Sequence, residues 1–198
     1  MGWHKDVEAI LDSYIAKLKG EDDSVVDRGE SVPVNDVPDR STFDRAFDFT
    51  LKEEGYYSND PFDPGGETKY GISKRAHPTV DIKNLTLEDA KSIYYNEYWR
   101  PFERIAETHP ALAMVLYDTG VNMGVGTTVR MLQKAVGVSV DGMIGPMTLN
   151  AIDNFRRDVI PFVLRERIIY YTSRPHWERF KNGWIVRVIR LAMEASNV

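Results

Sequence analysis

Residues 55–72 read Gly55-Tyr56-Tyr57-Ser58-Asn59-Asp60-Pro61-Phe62-Asp63-Pro64-Gly65-Gly66-Glu67-Thr68-Lys69-Tyr70-Gly71-Ile72. Turn formers alternate with aromatics, the texture of a loop that encloses a small hairpin. The sequence around it has helical periodicity. Upstream, Phe43, Ala46, Phe47, Thr50 and Leu51 share one face of a helix from about Phe43 to Glu54, which Ser41 or Thr42 can cap and Gly55 stops. Downstream, Thr86-Leu87-Glu88-Asp89 has the form of a capping box, with Asp in place of Glu, and opens a helix to about Tyr98. Pro110 suits the first turn of a helix to about Val121. Further helices are expected over 126–136 (ended by Gly137), 146–157, 159–172 and 182–196. The expected class is mainly α with one small β excursion.

The other side of the chain differs. Residues 3–19 carry Val7, Ile10, Leu11, Tyr14, Ile15 and Leu18 at the spacing of one apolar helical face, so 1–19 is read as an amphipathic helix that docks on its own domain or on a partner. Residues 20–41 are acidic, hold two prolines and two glycines, lack aromatics, and are read as a linker. The formal net charge of -5 follows this division. Residues 1–42 hold 5 basic and 10 acidic residues, whereas 43–198 hold 20 of each. Within the latter, 150–198 is basic, with 9 against 5. That balance is far from a dedicated nucleic-acid binder, so no nucleic-acid partner is expected.

Several chemistries are excluded or left without support. There is no cysteine, hence no disulfide, thiolate metal site or cysteine nucleophile. His4, His77, His109 and His176 lack ligand spacing, and no P-loop, dinucleotide glycine pattern or Gly-x-Ser-x-Gly is present, so no metal or cofactor is expected. No run approaches 18 apolar residues, so no transmembrane segment is expected. The first residues lack the apolar core and cleavage site of a secretory signal.

The loop after the first domain helix carries the richest chemistry. Glu54 ends a helix just before a glycine-aromatic turn, Asp63 follows nine residues later, and Thr68 five after that. A glycosidase needs a carboxylic acid that stays protonated to donate to the leaving oxygen, and a second polar group to hold water or stabilise the oxocarbenium ion. A Glu at a helix end facing a hairpin that bears an Asp and a Thr can supply both. The helix C-terminus itself disfavours a negative charge on such a Glu. By residues alone the bland alternative stays open: a solvated helix-end Glu beside a turn that Asp-Pro-Gly-Gly favours for backbone reasons.

Glu54-Gly55-Tyr56-Tyr57, followed by Asp63-Pro64-Gly65-Gly66-x-Thr68-x-Tyr70-Gly71-Ile72-Ser73, resembles the signature of glycoside hydrolase family 108, the N-acetylmuramidases of phage endolysins and secretion-activator proteins. The resemblance continues through Leu85-Thr86 to Ala90, Ile93-Tyr94 and Tyr98-Trp99, then Tyr117-Asp118-x-x-x-Asn122-x-Gly124. Leu132-Gln133, Asp141-Gly142-x-Ile144-Gly145-Pro146-x-Thr148-Leu149, Phe180-Lys181-Asn182-Gly183-Trp184 and Arg187-Val188 resemble its C-terminal, peptidoglycan-binding segment. It covers about 43–190 and departs at Tyr56, where the family usually has glycine.

The resemblance implies a lysozyme-like α+β fold with the hairpin at the catalytic cleft. It implies a catalytic region over 42–124 and a peptidoglycan-binding-like region over 125–198, packed as one unit. It makes Glu54 the catalytic acid, with Asp63 and Thr68 facing it. Tyr57 and Tyr70 flank the hairpin and, with Asp118 and Asn122, are the expected sugar contacts, because aromatics stack on sugar faces and Asn or Asp bonds N-acetyl groups and hydroxyls. Tyr94, Tyr95, Tyr98 and Trp99 fall at helical spacing and are read as core. The implied activity is hydrolysis of the β-1,4 bond between N-acetylmuramic acid and N-acetylglucosamine in peptidoglycan. The alternatives are a lytic transglycosylase giving 1,6-anhydro products, and a non-catalytic wall-binding or virion protein. Such an enzyme would be made in the cytoplasm and reach the periplasm or wall through a holin, a virion or a dedicated export route.

Overall fold

The computed structural model describes residues 41–54, 57–58 and 67–198. The expected 1–19 helix, the linker up to residue 40, and Asp63 lie outside the described residues. In chain order the elements are α1 (Thr42–Glu54), β1 (Tyr57–Ser58), β2 (Thr68–Lys69), β3 (Ile72–Ser73) and α2 (Leu87–Tyr94). A π-helical turn (Tyr95–Trp99) and a 3-10 turn (Arg100–Phe102) lead to α3 (Glu103–Ala106). Then come α4 (Pro110–Met123), α5 (Val125–Val136), α6 (Pro146–Asp153), α7 (Ile160–Thr172) and α8 (Trp177–Ala195). The mainly helical expectation holds, and the small hairpin is part of a three-stranded antiparallel sheet in the order β1-β2-β3.

α4 is the axis of the molecule. Its residues Leu112 through Gly120 are all buried, as expected of a helix apolar on every side. α1, α3, α5, α7 and α8 pack around it. On one side the packing is aromatic. Phe43 of α1 lies 5.1 Å from Tyr95, 5.4 Å from Trp99 and 6.0 Å from Tyr117, and Phe47 lies 5.5 Å from Tyr94. Tyr94 and Trp99 are buried, and Tyr95 and Tyr98 pack half-buried against the same core, which bears out their reading as packing residues.

Helix boundaries follow local chemistry. Ser41 caps α1: the Asp44 N–H donates to Ser41 Oγ over 3.1 Å, and the Ser41 hydroxyl donates to Asp44 Oδ2 over 2.8 Å. Thr86 caps α2 in a complete box, its Oγ1 accepting the Asp89 N–H while Asp89 Oδ2 accepts the Thr86 N–H, both over 3.1 Å. Thr86→Ala should cost about 1 kcal/mol, measured as a shift in the urea midpoint with unchanged slope. Gly137 ends α5 in the left-handed region at φ 76°.

Three boundaries differ from the sequence reading. α2 does not run regularly to Tyr98. The Arg100 N–H reaches the Tyr95 carbonyl, five residues back. In an α-helix, Tyr94 and Trp99 would point about 140° apart. The wider π turn swings both inward, and Pro101, which has no N–H to continue the ladder, follows it. α6 stops at Asp153, where the Asn154 amide folds back onto the Asn150 carbonyl at 2.8 Å. α8 begins at Trp177, five residues early, so Asn182-Gly183 lies within the helix rather than at its start.

Candidate active site

α1 ends at Glu54, and three residues later the chain enters β1. β1 pairs antiparallel with β2, Ser58 opposite Thr68 and Tyr57 opposite Lys69. β2 pairs in turn with β3, Thr68 opposite Ser73 and Lys69 opposite Ile72. The sheet thereby carries Thr68, distant from Glu54 in sequence, back to the strand that leaves the end of α1. Thr68 is half-buried on the middle strand. Asp63 belongs to the connection between β1 and β2, outside the described residues.

Tyr70 and Gly71 form the two-residue loop between β2 and β3 at φ 53° and 77°. Positive φ at both central positions is what a type I′ hairpin turn requires. Glycine adopts it freely; a tyrosine there is strained, by about 1 kcal/mol or more. The Tyr94 hydroxyl donates to the Tyr70 carbonyl over 3.1 Å, and the half-buried Tyr70 ring packs against the core. Tyr70, expected as a sugar contact, thus also fixes the corner of the hairpin.

Asp118 corrects the sequence reading. The resemblance places it at the sugar cleft, whereas it is fully buried on α4. Its Oδ2 accepts Arg167 Nη1 at 2.7 Å and its Oδ1 accepts Arg187 Nη2 at 2.8 Å. Thr50 Oγ1, one turn before the end of α1, donates to the same Oδ1 at 3.3 Å. Burial raises the Asp118 pKa, but Arg167 and then Arg187 more than offset it, so the carboxyl sits below its usual value and is ionised. The network extends outward. Arg167 Nε and Nη2 donate to the Tyr171 hydroxyl at 3.2 and 3.1 Å, and that hydroxyl donates to Asn122 Oδ1 at 2.7 Å. Burial pushes the Tyr171 phenol up, against the opposing pull of Arg167, so it remains a donor. Asn122 is exposed, and with its oxygen taken by Tyr171 its amide NH2 is the group left to donate.

Local sequence does not single out Thr50, Arg167, Tyr171 and Arg187 as site residues. The available signal was weak: Thr50 is a polar residue on the apolar face of α1, and Arg187 falls within the last family motif. Together they lock the final turn of α1 to α4, α7 and α8.

The Asp141-to-Thr148 segment is held by the buried Gln133. Its Nε2 donates to Asp141 Oδ1 at 2.6 Å and to the Met143 carbonyl at 3.0 Å, and its Oε1 accepts the Gly142 N–H at 2.8 Å. Gly142, at φ 81°, lies under the Arg130 guanidinium, which a Cβ would meet at 3.0 Å. The hydrogen bond from Gln133, then that from the Met143 N–H, holds the Asp141 carboxyl below its usual range.

The comparisons with known proteins agree with this architecture. Residues 47–124 match the family model described as Glycosyl hydrolase 108, and residues 127–189 match a model described as a Predicted Peptidoglycan domain. A solved structure, that of Brucella abortus SagA, superposes with a TM-score of 0.69 at 30% identity, covering 79% of this chain and 94% of that one. A search of curated proteins gives no match. Fold and matched regions together define a glycoside hydrolase on a lysozyme-like scaffold with a peptidoglycan domain at its C-terminal side. The chain belongs to the glycosyl hydrolase 108 family.

Proposed function

We propose that this hydrolase is an N-acetylmuramidase that cleaves the β-1,4 bond between N-acetylmuramic acid and N-acetylglucosamine, with Glu54 as general acid. In this reading the Glu54 carboxyl protonates the glycosidic oxygen as the bond from the muramic acid C1 breaks. Water adds to C1 and loses a proton to solvent, from which Glu54 is reprotonated, and Asp63 and Thr68 position that water or stabilise the developing positive charge. The observation that supports the reading is backbone placement: α1 ends at Glu54, and the β1–β2 pairing sets Thr68 opposite the strand that leaves that end. The enzyme would act at the cell wall after delivery by a holin, a virion or dedicated export.

The test is product analysis. The full chain, incubated with purified peptidoglycan, should release fragments whose new reducing ends are N-acetylmuramic acid, seen by reduction and mass spectrometry. Ends in 1,6-anhydro form would replace this reading with a lytic transglycosylase. Co-sedimentation with the wall and no released fragments would make the chain a binding protein.

A further inference from the structure

Gly183 is the seventh residue of α8, in ordinary helical geometry. A helix-interior glycine is unfavourable relative to alanine and needs a reason. Packing does not supply one: among the described residues, a Cβ at Gly183 would meet nothing within 4 Å. Its neighbours are unusual for a solvent-facing helix. Phe180 is 43% exposed, with the Arg179 guanidinium 5.2 Å from its ring. Trp184 is half-buried, stacked on Tyr171 at 4.7 Å and 5.8 Å from Phe180. Tyr171 in turn holds the exposed Asn122 by its Oδ1, which leaves the amide NH2 to donate.

α8 also runs alongside α1 in the opposite direction. Arg45 Nη1 reaches the Asn197 carbonyl at 3.3 Å near one end, and further along Thr50 and Arg187 converge on Asp118. Following both helices onward, Glu54 and the Phe180–Trp184 turn lie toward the same end of the pair.

From these observations we infer that Phe180, Gly183, Trp184 and Asn122 form a glycan platform that binds a length of the peptidoglycan strand beside the cleavage site. This rests on the muramidase reading above for its substrate. Ring faces stack on the apolar faces of the sugars, the Asn122 amide donates to an N-acetyl carbonyl, and Arg179 meets the anionic stem peptides. Glycine at 183 lets the strand lie against the helix backbone. The 127–189 match to a peptidoglycan domain includes three of these four residues and is consistent with that occupant.

Gly183→Leu tests the platform at a helical position where, among the described residues, a Cβ meets nothing within 4 Å. Binding is read by co-sedimentation with purified peptidoglycan in a Glu54→Gln background, so that cleavage does not enter, and turnover in the otherwise unchanged chain. The expected result is a melting temperature unchanged or raised, wall binding weakened about tenfold, and a higher half-saturating wall concentration with kcat little changed. Phe180→Ala should weaken binding in the same direction. Wall binding and half-saturation equal to the parent in Gly183→Leu would overturn the platform, as would a dimer of the parent that this substitution dissolves. A parent chain that binds the wall in a Gly183-dependent way but releases no fragments would sink the muramidase reading and leave the platform standing.

Discussion

Glu54→Gln should cut fragment release from purified peptidoglycan by roughly 10²–10⁴-fold, the usual worth of a positioned general acid, and leave the fold intact. The amide keeps the shape of the side chain but has no proton to give, so the leaving oxygen must depart as an alkoxide. The position suits the role. α1 ends at Glu54, and the aligned carbonyls at a helix C-terminus disfavour nearby negative charge. Release of reducing ends within a few-fold of the parent, from a folded Glu54→Gln protein, would exclude Glu54 as the acid. Asp63→Asn and Thr68→Ala, measured beside it, separate the acid from the groups proposed to handle water: each should lower kcat by less than Glu54→Gln does.

What local sequence could carry, it carried well. The Thr86–Asp89 box, the Ser41 cap and the Gly137 stop depend on residues within four positions of one another, and each is where the sequence places it. The π turn at Tyr95–Trp99 was not legible, because it exists to bring Tyr94 and Trp99 to one core, a tertiary demand that overrides helix periodicity. α8 shows the converse error. Asn182 and Gly183 read locally as a helix start, yet the stripe of Trp177, Phe180 and Trp184 carries the helix through them. The site divides in the same way. The end of α1 and the β excursion could be located from turn chemistry. Asp118 could not be assigned correctly, because its partners lie 49 and 69 residues away and a polar residue on an apolar helix looks the same whether it faces a ligand or a buried guanidinium.

The Asp118 cluster carries the largest expected effect on stability. One buried carboxylate faces two guanidinium groups. Asp118→Asn removes the charge that Arg167 and Arg187 both contact and leaves the buried Arg167 without its carboxylate. Breaking a buried pair in this way costs about 3–5 kcal/mol, which for a chain of this size lowers the melting temperature by roughly 10 °C. The arginines should rank below it. Arg187→Met leaves Asp118 paired with Arg167 and should cost least, because Arg187 is the more exposed of the two. Arg167→Met also strips partners from Tyr171 and Thr119 and should fall between. Acid provides an independent check. The folded pKa of Asp118 lies below the ordinary 3.8, so its contribution is fully present above that value and fades as pH falls through the folded pKa. The stability gap between parent and Asp118→Asn should therefore stay constant from neutral pH down to about 4 and narrow only below it. Because Thr50 bonds this same carboxylate one turn before Glu54, a folded Asp118→Asn protein below its melting point should also show a lower kcat. An Asp118→Asn protein as stable and as active as the parent would mean that the end of α1 is held by its apolar packing alone.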